Sequence, residues 1–188
     1  MIDREQFFNN YRKEFGALSQ SQVDGINAIL DEWEANYADK DLRWLAYAFA
    51  TTYHETDKKM QPIEEYGKGK HQLYGKHFKC DHRKYTDTDN LFYGRGFVQL
   101  TWYENYEKAG AKLGIDFIHN PEKVMELDNA AKIMFLGMTE GWFTGKVLST
   151  YFNERRTDPI NARAIINGKD RASLIAGYYY SFIKCLTT

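Results

Sequence analysis

The sequence is poor in cysteine and has no long apolar stretch. Two cysteines among 188 residues are too few for a disulfide scaffold and favour a reduced, intracellular fold. No run approaches the roughly 18 apolar residues that indicate a membrane-spanning helix. A net charge of −1 argues against a general nucleic-acid-binding protein. The length suits one domain with a sizeable core, and a monomer is the default expectation.

The N-terminus also lacks the pattern of an export signal. Residues 1–5 are polar and acidic, whereas a signal peptide begins with basic residues and continues with apolar ones. We therefore expect synthesis in the cytoplasm without an ordinary export signal.

Charge is distributed unevenly along the chain. Residues 1–57 carry 5 basic and 11 acidic side chains, whereas residues 58–84 carry 8 basic and 3 acidic ones. The basic segment also contains three glycines. It predicts a long irregular loop, which in a compact domain is often functional. An ordinary solvated surface loop is the alternative.

The remaining patterns are mostly helical. Apolar periodicity and proline or Asn-Gly boundaries predict helices at 3–15, 19–37, 41–56, 121–142, 159–166 and about 170–186. Only residues 92–100 suggest an extended segment, and no linker or repeat divides the chain. We predict a single, mainly α domain over residues 1–188.

The helix predicted at 41–56 ends in a carboxylate. No charged residue lies between Trp44 and Tyr53, which predicts a helix buried on most sides, and Glu55 follows at its C-terminus. Burial and the negative end of the helix dipole both disfavour an ionised carboxyl group. A general acid must stay protonated near neutral pH. Glu55 is therefore a candidate general acid, unless it simply reaches solvent with an ordinary pKa.

A second carboxylate follows nine residues later. Pro62 prevents one continuous helix from carrying both Glu55 and the Glu64-Glu65 pair. The acids must come from different segments and can face each other across a cleft. Inverting glycosidases place two carboxyl groups roughly 6.5–9.5 Å apart, a separation that this interval permits without requiring it.

A metal site is the weaker interpretation. Position 58 is Lys, so the His-Glu-x-x-His zinc pattern fails at His54. A looser set of possible ligands in the basic segment comprises His71, His77, Cys80 and His82, but its spacing matches no established zinc pattern. We predict no metal and no other cofactor.

Three parts of the sequence together resemble glycoside hydrolase family 19, which holds plant-type chitinases and bacterial and phage endolysins. They are Ala-Thr-Thr-Tyr-His-Glu-Thr at 50–56, Glu64, and Tyr-Gly-Arg-Gly-Phe-Val-Gln-Leu-Thr at 93–101. The resemblance runs from about residue 40 to the C-terminus. It implies a lysozyme-like α-helical fold with a central substrate cleft, at most a small β-hairpin, and an inverting mechanism.

The resemblance also implies roles for individual residues. Glu55 would be the general acid and Glu64 the general base, with Glu65 as the adjacent alternative. Thr101 would help to hold the catalytic water, although a capping box formed with Glu104 is a competing explanation.

Further candidates for the sugar groove are His54, Glu65, Tyr93, Arg95, Gln99, Trp102, Asn105 and Asn167. Each has a local alternative. The aromatic residues are as often part of a core, the amides can end a strand or form a turn, His54 can be a buried hydrogen-bonding partner, and Arg95 can form a structural ion pair.

One position departs from the family pattern. Plant-type members carry an arginine in the last helix that supports the catalytic base, and Ile175 occupies the corresponding place here. Arg171, one turn earlier, is a possible substitute; otherwise the supporting network differs.

The resemblance to the endolysin branch rests on the short interval between Glu55 and Glu64 and on the absence of the plant disulfides. It favours a peptidoglycan hydrolase acting at the bacterial cell wall after holin-type release or secretion as an effector. Chitin hydrolysis by the same chemistry is the first alternative. A non-catalytic glycan-binding or phage structural protein is the second.

Overall fold

The structure is a computed structural model that describes residues 1–187. These residues form seven α-helices: α1 (Arg4–Phe15), α2 (Gln20–Asn36), α3 (Leu42–Glu55), α4 (Tyr103–Leu113), α5 (Leu127–Glu140), α6 (Leu148–Tyr151) and α7 (Ala172–Thr187). Shorter 3-10 helices occupy Leu73–Gly75, Pro121–Met125 and Asn161–Ile165. The predicted mainly α fold is confirmed. None of the helices described is long and apolar enough to cross a membrane.

Two very short antiparallel strand pairs complete the fold. Strand β1 (Ile63–Glu64) pairs with β2 (Arg95–Gly96), and β3 (Phe152–Asn153) pairs with β4 (Arg156–Thr157). The extended segment predicted at 92–100 therefore contains only a two-residue strand. The chain turns back immediately, so that Arg95 also bridges to Leu100. The second pair was not predicted, because two residues are too few to show an alternating pattern.

Helix α3 lies at the centre of the main core. Every residue from Leu45 to Tyr53 is buried, as the uncharged run predicted. It packs against α7, which also packs against α1. Aromatic rings fill this contact; Phe49 and Phe182, for example, stack with their centroids 5.2 Å apart. Since the helix is buried from Leu45 to Tyr53, Glu55 at its C-terminal end is the first acidic or basic side chain after Arg43 that ionises near neutral pH, apart from His54.

Several predicted helices have different boundaries in the structure. The helix predicted at 121–142 breaks at Glu126, whose extended backbone separates a 3-10 helix from α5. The Asn129 amide stabilises the break by donating to the Lys123 carbonyl and the Glu126 carboxylate. The segment predicted at 159–166 is a 3-10 helix, and α6 was not predicted. Apolar periodicity does not report side-chain hydrogen bonds such as those of Asn129, so it missed the break at Glu126.

A tight turn connects α3 to β1. The buried Thr56 hydroxyl donates to the Thr52 carbonyl at 2.7 Å and accepts from the Met60 amide at 3.1 Å. Met60 is itself fully buried, and its carbonyl lies directly against Gly25 of α2. This turn fixes the position of β1 relative to the end of α3.

We predict that Gly25→Ala destabilises the protein, because a Cβ at this position would clash with the Met60 carbonyl oxygen. Overpacking of this kind costs about 1–3 kcal/mol in the free energy of unfolding. The matched control is Gly177→Ala on α7, where a Cβ meets nothing within 4 Å, and which should stabilise the helix by about 0.5–1 kcal/mol. Denaturant titration of both variants measures the difference, and equal stabilities would contradict the predicted close approach.

Candidate active site

Glu55 is the last residue of α3, and its carboxylate forms an ion pair that is largely shielded from solvent. Arg163 Nη1 donates to Glu55 Oε1 at 2.5 Å, with 4% of the arginine side chain and 16% of the glutamate side chain exposed. The Nε of Arg163 is held in turn by the Asp170 carbonyl at 3.0 Å. The guanidinium is therefore fixed, and it fixes the carboxylate.

Arg163 was not predicted as a site residue. The suggested substitute, Arg171, has 65% of its side chain exposed and reaches only the Asp170 carboxylate, at 4.0 Å. Ile175 is fully buried in the core. The cationic partners of Glu64, the candidate base, are Arg95 and Lys68, so its supporting network uses neither position 171 nor position 175; Arg163 instead pairs with Glu55, the candidate acid. Arg163 follows Glu55 by 108 residues and lies in a short 3-10 helix, so no local pattern in the sequence marks it.

Glu64 lies in β1 and is surrounded by donors. The Tyr93 hydroxyl donates to Oε1 at 2.8 Å, Arg95 Nε donates to the same atom at 3.2 Å, and Lys68 Nζ lies 3.4 Å from Oε2. Partial burial acts to raise the pKa of Glu64. The hydrogen bonds from Tyr93 and Arg95 and the charges of Arg95 and Lys68 outweigh it and hold that pKa below its usual value. Glu64 is therefore ionised at neutral pH.

Glu65 has a different set of contacts. Its Oε1 accepts from the Tyr74 hydroxyl at 2.9 Å, and its Oε2 accepts from the Gly94 amide at 3.0 Å. The backbone amide of Glu65 also donates to the Gly94 carbonyl at 2.7 Å. This carboxylate fastens the basic loop to the segment around β2.

Two cavities meet at Glu55. One has a volume of about 240 Å³ and is lined by Glu55, Val98, Gln99, Thr101, Trp102, Asn105, Phe143, Ile166 and Asn167. The other, on the side of the basic loop, has a volume of about 510 Å³ and is lined by His54, Glu55, Asp57, Ile63, Glu65, Tyr66 and Gln99. Because Glu55 and Gln99 line both, the cavities adjoin at these residues, and we call the two together the groove. Most of the predicted site residues lie along it.

Gln99 lines the groove, and its side chain packs closely against the backbone of Gly94. It has a positive φ of 57°, and its Nε2 donates to the Ile63 carbonyl at 3.0 Å. Its side chain passes over Gly94, where a Cβ would lie 2.7 Å from the Gln99 Oε1. Gln99 thus connects the turn after β2 to β1, as well as lining the groove.

The alternative role of Thr101 as a helix cap is wrong. Helix α4 has Trp102 as its N-cap, with a φ of 74° and no side-chain capping bond. The Glu104 carboxylate instead accepts from the Cys80 amide in the basic loop. The Thr101 carbonyl accepts from Asn105 Nδ2 at 2.9 Å, which positions both residues at the wall of the smaller cavity.

Tyr93 and Arg95 lie behind the groove. Each is only 6% exposed, and the Arg95 guanidinium lies 3.8 Å from the centre of the Tyr93 ring. Their polar groups reach Glu64, so the interpretation of Arg95 as a structural ion-pair partner fits better than direct contact with sugar. Trp102 does line the smaller cavity, and Tyr74 contacts its ring edge-on. Asn167 lines the same cavity and also accepts from the Gly168 amide, as expected for an Asn-Gly turn.

His54 lies beside Glu55 and lines the larger cavity. Burial lowers its pKa and outweighs the opposing charge of Glu55, so the imidazole is neutral at pH 7. Across residues 1–187, no group of three or more His, Cys, Asp or Glu side chains is arranged to hold a metal ion. The suggested ligands of the basic loop therefore do not come together as a set.

Comparison with known proteins agrees with the motifs and the geometry. The family model described as chitinase class I matches residues 33–148, which contain Glu55, Glu64 and the 93–101 motif. The chain belongs to glycoside hydrolase family 19. Among curated relatives, acidic endochitinase Q of Nicotiana tabacum is 30% identical over 83 residues, which is 40% of this chain and 33% of that protein. The chain thus matches about a third of the length of such relatives.

Solved structures share the fold of this family 19 chain. Chitinase C from Streptomyces griseus superimposes with a TM-score of 0.66 and 22% identity, covering 100% of this chain and 77% of that one. A class IV chitinase from Zea mays gives a TM-score of 0.63 and 19% identity, covering 96% and 90%. The lysozyme-like helical fold that the resemblance implied is thereby confirmed.

We predict strong coupling between Glu55 and Arg163. Arg163→Met should lower the free energy of unfolding by about 3 kcal/mol, because it leaves a buried carboxylate unpaired. The double variant Glu55→Gln/Arg163→Met should recover part of that loss. The exposed pair formed by Lys112 and Glu140 is the matched control, with an expected coupling below about 1 kcal/mol. Double-mutant cycles from denaturant unfolding measure both coupling energies. Equal values for the two pairs would contradict the conclusion that the Glu55–Arg163 pair is shielded from solvent.

We also predict that Tyr93→Phe raises the pKa of Glu64, because it removes a hydrogen bond that stabilises the carboxylate. Titration of the glutamate side-chain carbons by nuclear magnetic resonance measures the shift. As a control, Tyr103→Phe removes a similar bond to Asp87 and should raise the pKa of Asp87 alone. An unchanged Glu64 pKa in Tyr93→Phe would show that the hydroxyl does not hold the carboxylate.

Proposed function

We propose that the protein is an inverting glycosidase that hydrolyses β-1,4 bonds in polymers of N-acetylglucosamine. The observation that carries the proposal is the placement of two carboxyl groups on separate elements: Glu55 lines the groove, and Glu64 lies between Ile63 and Glu65, which also line it. Glu55 ends a buried helix in the floor of the groove, next to a fixed arginine. Glu64 comes from a separate strand and is held ionised by its donors. Inverting glycosidases use such a pair, one carboxyl group as general acid and the other as general base.

In the proposed reaction, Glu55 acts in its protonated form and donates that proton to the glycosidic oxygen as the bond from that oxygen to the anomeric carbon breaks. Glu64 removes a proton from a water molecule, whose oxygen forms the new bond to the anomeric carbon from the opposite face. Thr101 orients the water, and Gln99, Trp102, Asn105 and Asn167 contact the sugar units. Glu65 is the alternative base: it lines the larger cavity with Glu55, and its two carboxylate oxygens accept from Tyr74 and Gly94.

Chitin is the substrate we favour, since the relatives and structural neighbours described above are named as chitinases. Peptidoglycan, the substrate expected from the sequence, is the second candidate. It is supported by the basic segment at 58–84, from which Lys68 reaches Glu64 and Lys59 reaches Tyr66 at the groove. Such charges attract an anionic wall polymer, though only within about 10 Å at 0.1 M salt. In that case the protein would act at the bacterial cell wall.

We predict that Glu55→Gln and Glu64→Gln each reduce hydrolysis by about 10²–10⁴-fold, the contribution typical of general acid–base groups. Soluble N-acetylglucosamine oligomers and purified peptidoglycan serve as parallel substrates, with reducing-end release as the measurement. The exposed Glu107 on α4 provides a control, since Glu107→Gln should retain full activity. Nuclear magnetic resonance of the first product formed from the oligomers should show the inverted α-anomer.

The outcomes separate the alternatives. Release from chitin oligomers alone supports the favoured substrate, whereas release from peptidoglycan alone supports the second candidate. A β-anomer as the first product would contradict the inverting mechanism. If folded wild-type protein hydrolyses neither polymer, the glycosidase proposal fails and a glycan-binding protein is the remaining interpretation.

A further inference from the structure

One aromatic side chain at the groove has no role so far. Tyr66 follows the Glu64-Glu65 pair directly, and 73% of the residue is exposed. The other large hydrophobic residues with exposed side chains in the described part of the chain are Met1, Ile160, Leu174 and Tyr180. Of these five, Tyr66 alone lines the 510 Å³ cavity beside Glu55. Because its ring borders the cavity of Glu55, Tyr66 is placed to contact a ligand that lies there.

The backbone on both sides of Tyr66 is fastened. The preceding residue, Glu65, exchanges backbone and side-chain hydrogen bonds with Gly94, at 2.7 Å and 3.0 Å. On the other side, the Lys68 amide donates to the Glu65 carbonyl at 3.0 Å and closes a turn around Tyr66. The Cα of Tyr66 is therefore fixed relative to β1 and β2, although its ring faces solvent.

The far end of the ring is held as well. Lys59 Nζ donates to the Tyr66 hydroxyl at 3.1 Å and lies 5.7 Å from the ring centroid. Lys59 belongs to the tight turn after α3, which the Thr56 hydroxyl and the buried Met60 hold in place. The ring thus spans two anchored segments, one that follows Glu55 and one that follows Glu64. The hydrogen bond restrains the ring, and such preorganisation reduces the entropy that a ligand must remove on binding.

We propose that the ring of Tyr66 is the stacking platform of a sugar subsite on the basic-loop side of Glu55. Its occupant is an N-acetylhexosamine unit of the glycan, which lays its apolar C–H face on the ring. Tyrosine suits such a contact because it offers a rigid apolar face and a polar tip. The proposal rests on the proposed glycosidase function and adds a subsite opposite the cavity of Thr101 and Trp102.

A subsite outside the reacting bond affects how tightly the glycan binds and which chain lengths are preferred. Oligomers long enough to cross Glu55 and reach Tyr66 gain the stacking contact, whereas shorter ones do not. Because N-acetylglucosamine occurs in both chitin and peptidoglycan glycan strands, the platform fits either polymer, and the two sources are separated by experiment.

The test uses Glu55→Gln as a parent that binds without turnover. Isothermal titration calorimetry measures its Kd for N-acetylglucosamine oligomers of two to six units and for soluble, peptide-free peptidoglycan strands. Adding Tyr66→Ala should weaken binding of the longest oligomers about tenfold, the upper range for one aromatic contact, and leave the dimer unaffected. Tyr66→Phe keeps the ring face and should lose about twofold or less.

The matched control is Tyr180→Ala, which removes another exposed tyrosine from α7, outside both cavities. Thermal unfolding confirms that each variant folds. A length-dependent loss confined to Tyr66→Ala supports the subsite, and the polymer on which the loss appears identifies its source. Equal affinities for the Tyr66→Ala and Tyr180→Ala variants would overturn the subsite alone. A parent that binds neither glycan would overturn the glycosidase function and the subsite with it.

Discussion

The structure depends on a buried helix that must end in a charge. Helix α3 is enclosed by the core through its whole uncharged length, so Glu55 emerges at a position with little access to water. A carboxylate left unpaired there would cost several kcal/mol. The Arg163 guanidinium removes that cost and is itself fixed by the Asp170 carbonyl. This contact holds the segment that carries Arg163 against the end of α3, and that segment forms one wall of the groove.

The second carboxylate is placed by much less structure. Strands β1 and β2 have two residues each, yet they carry Glu64 together with Arg95, one of its donors. The pair is reinforced by side chains rather than by length: Glu65 fastens one side, Gln99 fastens the other, and the Thr56 turn sets the distance from α3. The Glu64 carboxylate is held on so short a sheet by its hydrogen bonds and ion pairs with Tyr93, Arg95 and Lys68.

The sequence predicted the residues of the groove better than their contacts. Glu55 could be recognised from an uncharged helix that ends in an acid, and the 93–101 motif pointed to Gln99 and Thr101. The same motif assigned Tyr93 and Arg95 to sugar binding, whereas the structure buries both behind Glu64. The capping pattern at Thr101 was misleading, because Glu104 is drawn to the Cys80 amide in the basic loop. Local patterns identify chemical groups but do not show which distant group satisfies them.

By itself, the sequence determined the class of fold and singled out two candidate carboxyl groups, because helical periodicity, helix ends and an interrupting proline act over a few residues. Only the tertiary structure decided what surrounds each acid. Arg163 reaches Glu55 across 108 residues, and Tyr93 reaches Glu64 across 29. These pairings form because burial leaves a polar group no partner except the one that the fold brings to it. Packing therefore decides which side chains pair with the candidate carboxyl groups. The side chains that would perform the proposed chemistry can be recognised from the sequence motifs.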